Sequence, residues 1–260
     1  MFPIRDDNPQ FLTPFVTWGL IALNVAAWFG LQGAGLGAAL PESVCQLGLV
    51  PGELLGRAAA GTATDLGGGL QCIVTSTPAP STLVSHMFLH GGWMHLIGNM
   101  WFLYLFGGNV EDSMGHFRFL VFYLLSGFAA AAAQIFADPA SVIPMVGASG
   151  AIGGVMGAYV MLYPRVWVHL LLVLGFYVSR VAVPAYFMLG YWLLLQLLGG
   201  AMSTGKGGGV AFWAHVGGFV AGAVLVLGMQ KRELVDQHPY HGWRQRAARR
   251  HWDRARHEWS

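Results

Sequence analysis

The sequence predicts an all-α membrane protein of six transmembrane helices, on three observations. Of 260 residues, 55% are hydrophobic and only 10% charged, against roughly 25% charged in an ordinary soluble domain. Mean hydropathy is +0.53. Eight of the fourteen Lys and Arg residues fall after residue 230, which leaves long stretches without a basic residue. Those stretches hold six apolar runs close to the ~20 residues a bilayer-spanning helix needs.

In chain order, residues 1–12 form an N-terminal segment whose FPIRDDNPQ is acidic and broken by proline, so no cleavable signal peptide is expected. The spans are read at 13–33, 83–106, 117–137, 147–163, 182–200 and 209–229, giving a transmembrane domain over 13–229. The stretch VWVHLLLVLGFYVSR, 166–180, is apolar but short, and reads as an interfacial or half-inserted connector. Residues 230–260 form a basic tail with Lys231, Arg232, Arg244, Arg246, Arg249, Arg250, Arg254 and Arg256. Basic residues near the spans favour the cytoplasmic side, so both termini are expected there, together with Arg118 and Arg165. The expected location is a bacterial cell membrane. The first loop, 34–82, carries one Arg and three acids and is placed outside. It holds both cysteines, Cys45 and Cys72, which either pair in an oxidising compartment or are unrelated small residues.

Polar residues within spans are costly and point to function. The second span contains SHMFLHGGWMHLIGNMWF, with His86, His90, His95 and Asn99; the fourth contains Ser149 and the sixth His215. At helical spacing His95 and Asn99 share one face while His86 and His90 form another stripe. Spans four and six run parallel, so Ser149 and His215 share a depth. Gly150, Gly153, Gly154 and Gly157 follow the serine, and Gly218 and Gly222 follow the histidine, at the small-xxx-small spacing that brings membrane helices together. A hydroxyl is a weak nucleophile until a base takes its proton, and imidazole suits that task. With no acid at this depth, the unit is a Ser149–His215 dyad. Oxyanion donors would be Asn99, His95 and the backbone N–H groups of Ser149 and Ala148.

HMFLHGGWMHLIGN, GASG and AHVGGFVAG, each in a separate span, together resemble the rhomboid family of intramembrane serine proteases, and GGNVEDSMG resembles that family's turn after span two. The resemblance covers about residues 80–230 and implies a six-helix rhomboid-like bundle. It implies Ser149 as nucleophile, His215 as general base, and His95 and Asn99 as oxyanion stabilisers. His86 and His90 become structural hydrogen-bonding residues beside a water-accessible cavity, and Glu111 a structural residue of the turn. The implied activity is endopeptidase cleavage of transmembrane or juxtamembrane segments of other membrane proteins, single-pass ones foremost, without metal or cofactor. Two features depart from the pattern. Gly153 stands where some members carry an aromatic that stacks on the base, so Trp213 or a neighbouring span must hold the His215 ring. The Trp-Arg pair of some members' first loop is missing.

Competing readings are a catalytically silent rhomboid-like protein that binds membrane clients, and a transporter or channel lined by the span-two histidines. His86, His90 and His95 as a zinc site lack an accompanying Cys or acid. Trp93, Trp101, Trp192 and Trp213 read as interface and packing residues. The tail reads as an anchor on anionic lipid, with no nucleic-acid partner expected.

Overall fold

The computed structural model describes residues 2–65, 71–75, 79–175, 177–203, 210–236 and 238–243. Six of the eight basic residues of the tail, from Arg244 onward, lie outside them.

The chain opens with a strand, β1 (Phe2–Asp6), before the first long helix, α1 (Phe15–Gly30). The long loop carries helices α2 (Ala39–Leu47) and α3 (Pro51–Leu54) and a small hairpin of β2 (Ala63–Asp65) and β3 (Gln71–Ile73). Cys45 on α2 and Cys72 on β3 are joined by a disulfide across 27 residues, which decides between the two readings of the pair. After the short helix α4 (Thr82–Ser85) come α5 (Trp93–Met114), α6 (His116–Ala137) and α7 (Ser149–Leu162). Strands β4 (Trp167–Leu174) and β5 (Tyr177–Pro184) precede α8 (Ala185–Met202), α9 (Phe212–Met229) and the short α10 (Arg232–Val235).

Among the described residues, α6, α8 and α9 are long and apolar enough to cross a bilayer, and α1 and α7 are shorter apolar helices. The 14 residues of α7 rise only about 21 Å, against a hydrocarbon core of ~30 Å. Its neighbours α5, α6 and α9 pack around it, and nearly every residue from Gly150 to Leu162 is buried. A helix so enclosed needs small side chains, which is why Gly and Ala recur along it.

Three expectations are corrected. The fold is mostly helical but not all-α, because residues 166–180 fold largely into the β4–β5 hairpin and β1 joins it in a three-stranded antiparallel sheet of order β1-β4-β5. The hairpin turns at Gly175, whose φ of +61° suits glycine. The segment 83–106 is not one helix. A 3₁₀ turn over His86–Phe88 is followed by non-helical backbone through Gly91–Gly92, and α5 then continues past 106 to Met114. His86 and His90 therefore precede the helix bearing His95 and Asn99, and the stripe assigned to them does not exist.

Residues 2–17, the segment after α9 as far as 243, and the α5–α6 turn meet at one end, the terminal end. There Glu111, fully buried, accepts from the N–H groups of Val16 (3.0 Å) and Thr17 (2.8 Å) and from the Thr17 hydroxyl (2.7 Å). The carboxylate thus accepts from the free donors at the start of α1, where helix dipole and unpaired N–H groups favour an anion. Asp112 accepts from the Phe11 and Leu12 N–H groups, both at 2.6 Å. The structural role expected for Glu111 now has its partners.

Candidate active site

Contact between α7 and α9 is made backbone to backbone. A Cβ on Gly218 would stand 2.0 Å from the Gly150 carbonyl oxygen, and one on Gly222 2.0 Å from that of Gly154. Only glycine permits this approach. It sets Ser149, the first residue of α7, against His215 in the first turn of α9, with 2.7 Å between Ser149 Oγ and His215 Nε2. The first turn of α9 is itself held from α6, where Gln134 Oε1 accepts from the Ala214 N–H at 3.3 Å.

On its other edge, His215 Nδ1 lies 2.7 Å from Gln196 Oε1 on α8. Trp192, one turn earlier, faces the imidazole with ring centres 5.7 Å apart. Of the two supports expected for the ring, the neighbouring span supplies it. Trp213 is turned elsewhere and packs against Gly200. Gly153 faces the backbone of α9, where a Cβ would stand a tight 3.0 Å from the His215 carbonyl oxygen.

The chain reaches Ser149 through a fixed loop. Leu49 and Met145 exchange backbone hydrogen bonds of 3.0 and 2.8 Å, and the Gly147 N–H donates to the His86 carbonyl at 2.8 Å. Gly147 has φ +132°, and a Cβ on it would fall 2.8 Å from His95 Nε2 and 3.3 Å from Ser149 Oγ. Glycine here both turns the chain and lets the His95 ring close on the serine loop. The Gly91 N–H donates to His95 Nδ1 at 3.2 Å, so Nε2 is the nitrogen left to carry a proton. The first backbone bond of α7 runs from the Ile152 N–H to the Ala148 carbonyl, leaving the preceding N–H groups free of helix partners. Asn99 is buried, and its amide nitrogen has no protein partner. Ser149, His215, Asn99, His95, Gly147 and Trp192 share the wall of one cavity of about 940 Å³.

His86 also lines this cavity, its Nδ1 2.7 Å from the Thr82 carbonyl. His90 differs from expectation. Its ring makes no hydrogen bond and instead meets the His95 ring edge-on at 5.1 Å. The bonds belong to its backbone, which exchanges two of 2.8 Å with the side chain of Gln32. Among the described residues no three His, Cys, Asp or Glu side chains gather as a metal site. Three glutamines absent from the sequence expectations, Gln32, Gln134 and Gln196, thus hold the loop, the helix and the ring around Ser149 and His215. Their signal was available: each is a lone polar residue in or at the end of an apolar run, where an unpartnered amide is costly.

Comparison with known proteins places the chain in a family. The rhomboid domain family matches residues 78–232. Rhomboid-like protein 11, chloroplastic, of Arabidopsis thaliana is 33% identical over 162 residues, 59% of this chain and 54% of that protein. Rhomboid-like protease 5 of Toxoplasma gondii is 30% identical over 169 residues, 62% of this chain and 17% of that protein. RHOMBOID-like protein 6, mitochondrial, of Arabidopsis thaliana is 30% identical over 163 residues, 62% and 45% respectively. The chain therefore spans about half, or much less, of each of these relatives. With the match running through α5, α6, α7, α8 and α9, the long helices that line the cavity, this membrane-embedded chain belongs to the rhomboid family.

Proposed function

We propose that the chain is an intramembrane serine endopeptidase whose catalytic unit is the Ser149–His215 dyad. The observation that carries the reading is the 2.7 Å contact between Ser149 Oγ and His215 Nε2 on the wall of a large cavity. His215 takes the hydroxyl proton as Oγ attacks the scissile carbonyl, and the imidazolium then delivers that proton to the leaving amine. Water, deprotonated by the same nitrogen, hydrolyses the acyl-enzyme and frees Ser149. The carbonyl oxygen turned anionic in each step is stabilised by Asn99, His95 and the N–H groups of Ser149 and Ala148, donors not consumed elsewhere in the fold.

Substrates are transmembrane or juxtamembrane segments of other membrane proteins, single-pass ones in particular. A helix in lipid hides its peptide bonds in internal hydrogen bonds, so cleavage favours segments with small or helix-breaking residues. The six helices α1, α5, α6, α7, α8 and α9 form the membrane domain, with both termini cytoplasmic and the cavity opening on the opposite side. Lys231 and Arg232 follow the end of α9, where Arg118 reaches the Met229 carbonyl at 3.2 Å, which supports a cytoplasmic terminal end. The disulfide belongs to the other end, consistent with an oxidising compartment.

The test is cleavage of a model single-pass substrate in liposomes. Wild type should cut, and Ser149→Ala and His215→Ala should each lose at least ~10³-fold in kcat while keeping the wild-type melting midpoint. Cleavage surviving Ser149→Ala would refute the mechanism. A folded wild type inert toward several substrates, yet able to bind them, would favour the client-binding alternative.

A further inference from the structure

We propose that Gln196 is the positioning residue of the base, fixing the tautomer of His215 that can accept the serine proton. The inference rests on the dyad reading above and explains how the site works without a carboxylate.

The argument begins one helical turn away. Gln196 Nε2 donates to the Trp192 carbonyl at 3.3 Å, and a carbonyl can only accept. The nitrogen end of the amide is therefore committed to α8's own backbone, and the oxygen end faces His215 Nδ1 at 2.7 Å. An amide oxygen cannot donate, so Nδ1 must carry the ring proton. That leaves the Nε2 lone pair directed at Ser149 Oγ, 2.7 Å away, the arrangement a general base requires. With the amide reversed, or absent, the ring is free to hold its proton on Nε2, where it cannot take another from the serine. When Nε2 accepts the serine proton, both ring nitrogens bear hydrogen, and the Nδ1–H···Oε1 bond becomes charge-assisted and stronger. Trp192 limits the tilt of the ring from the same helix face. Because both partners sit on α8 while His215 sits on α9, the base is correctly set only when α8 lies against α9. That packing runs through Gly199 and Gly200, which meet the rings of Phe212 and Trp213.

The experiment compares wild type, Gln196→Met, Gln196→Glu and Ser149→Ala in liposomes, with kcat and KM measured separately. Methionine fills the volume without an acceptor; glutamate restores the acceptor. The expected result is a kcat lower by about 10- to 100-fold in Gln196→Met, KM within two-fold of wild type, and kcat recovered to within several-fold in Gln196→Glu. Equal loss in both variants, or none in Gln196→Met, would overturn the proposal while Ser149→Ala still reports independently on the dyad. A second readout needs no turnover. In ¹⁵N-histidine spectra assigned through His215→Asn, wild type should show Nδ1 protonated and Nε2 bare, and Gln196→Met a mixture. Nε2 protonated in wild type would also overturn it.

Discussion

At its first residue α7 carries Ser149 beside the cavity; at its far end the same helix carries Tyr159 and Tyr163 in a closed polar cluster. The Tyr159 hydroxyl donates to Asp6, and the Tyr163 hydroxyl to the Asn109 carbonyl at 3.2 Å. The His238 ring packs at a tilt against Tyr163 with ring centres 4.5 Å apart. A step away, Glu111 and Asp112 are filled with backbone donors. At the serine end the amide nitrogen of Asn99 has no protein partner, and the leading N–H groups of α7 have none within the helix. Both ends spend polar groups inside an apolar protein. At the terminal end Tyr159, Tyr163, Glu111 and Asp112 find partners within the fold, although the side chain of Asn8 does not; at the serine end the unpartnered donors are those that the proposed mechanism assigns to a reacting carbonyl.

The sharpest way to break this contrast is to remove one group from each end. Asn99→Ala should lower kcat by about 10²–10³, with the thermal midpoint almost unmoved, because the fold makes no bond to its amide nitrogen. Glu111→Ala should do the reverse. It strips four donors, the His116 ring N–H among them, of a buried acceptor and should cost about 3–5 kcal/mol of stability, with the kcat of surviving protein close to wild type. A stability loss from Asn99→Ala, or indifference to Glu111→Ala, would dissolve the distinction between the two ends.

A smaller effect belongs to the loop over the serine end. The disulfide closes a loop of separation 27 between Cys45 and Cys72, for which chain entropy gives roughly 3–4 kcal/mol. Part of that constrains only the loop, which touches the bundle near the serine through the Leu49–Met145 bridge. Cys45→Ser with Cys72→Ser should therefore lower the midpoint less than Glu111→Ala does. Reductant should mimic the pair in wild type and have no effect on the double variant.

The same contrast explains what the sequence made legible. Ser149, His215, Asn99 and His95 stand out because an intramembrane polar residue demands an explanation, and the glycines beside them supply one. The glutamines did not stand out, since an amide reads as filler until its two ends are seen to be used. The strands were hidden for another reason. In WVHLLLVL both faces are apolar enough to erase the alternation that marks a strand, so the run is indistinguishable from a helix segment by pattern. The break before α5 was written in Gly91–Gly92, but the surrounding hydrophobic run outweighed it. Partners such as Val16 and Thr17 for Glu111 lie some 95 residues away in sequence, beyond the reach of any local rule.

The finest test lies wholly at the terminal end, where two groups respond to pH in opposite senses. Burial pushes the Asp6 carboxyl up from 3.8 to about 6, against the opposing bond from Tyr159. Between those values the folded protein holds a proton that the unfolded chain releases, so this stability is complete below pH 3.8 and is lost as pH rises through 6. Burial pushes the His238 imidazole down from 6.5 to about 4, with the Pro9 carbonyl working against the shift. Here the unfolded chain holds the extra proton, so the contribution is complete above pH 6.5 and is lost as pH falls through 4. Each is worth about 3 kcal/mol on a scale of 1.36 kcal/mol per unit, and over pH 4–6 they nearly cancel. Wild type should then show a flat midpoint across that range, whereas Asp6→Asn should gain stability with rising pH and His238→Phe should lose it. Opposite slopes in the two variants, with Ser149-dependent cleavage unaltered in both at pH 7, would show that the terminal end tunes stability alone; parallel slopes would mean that these two groups do not set it.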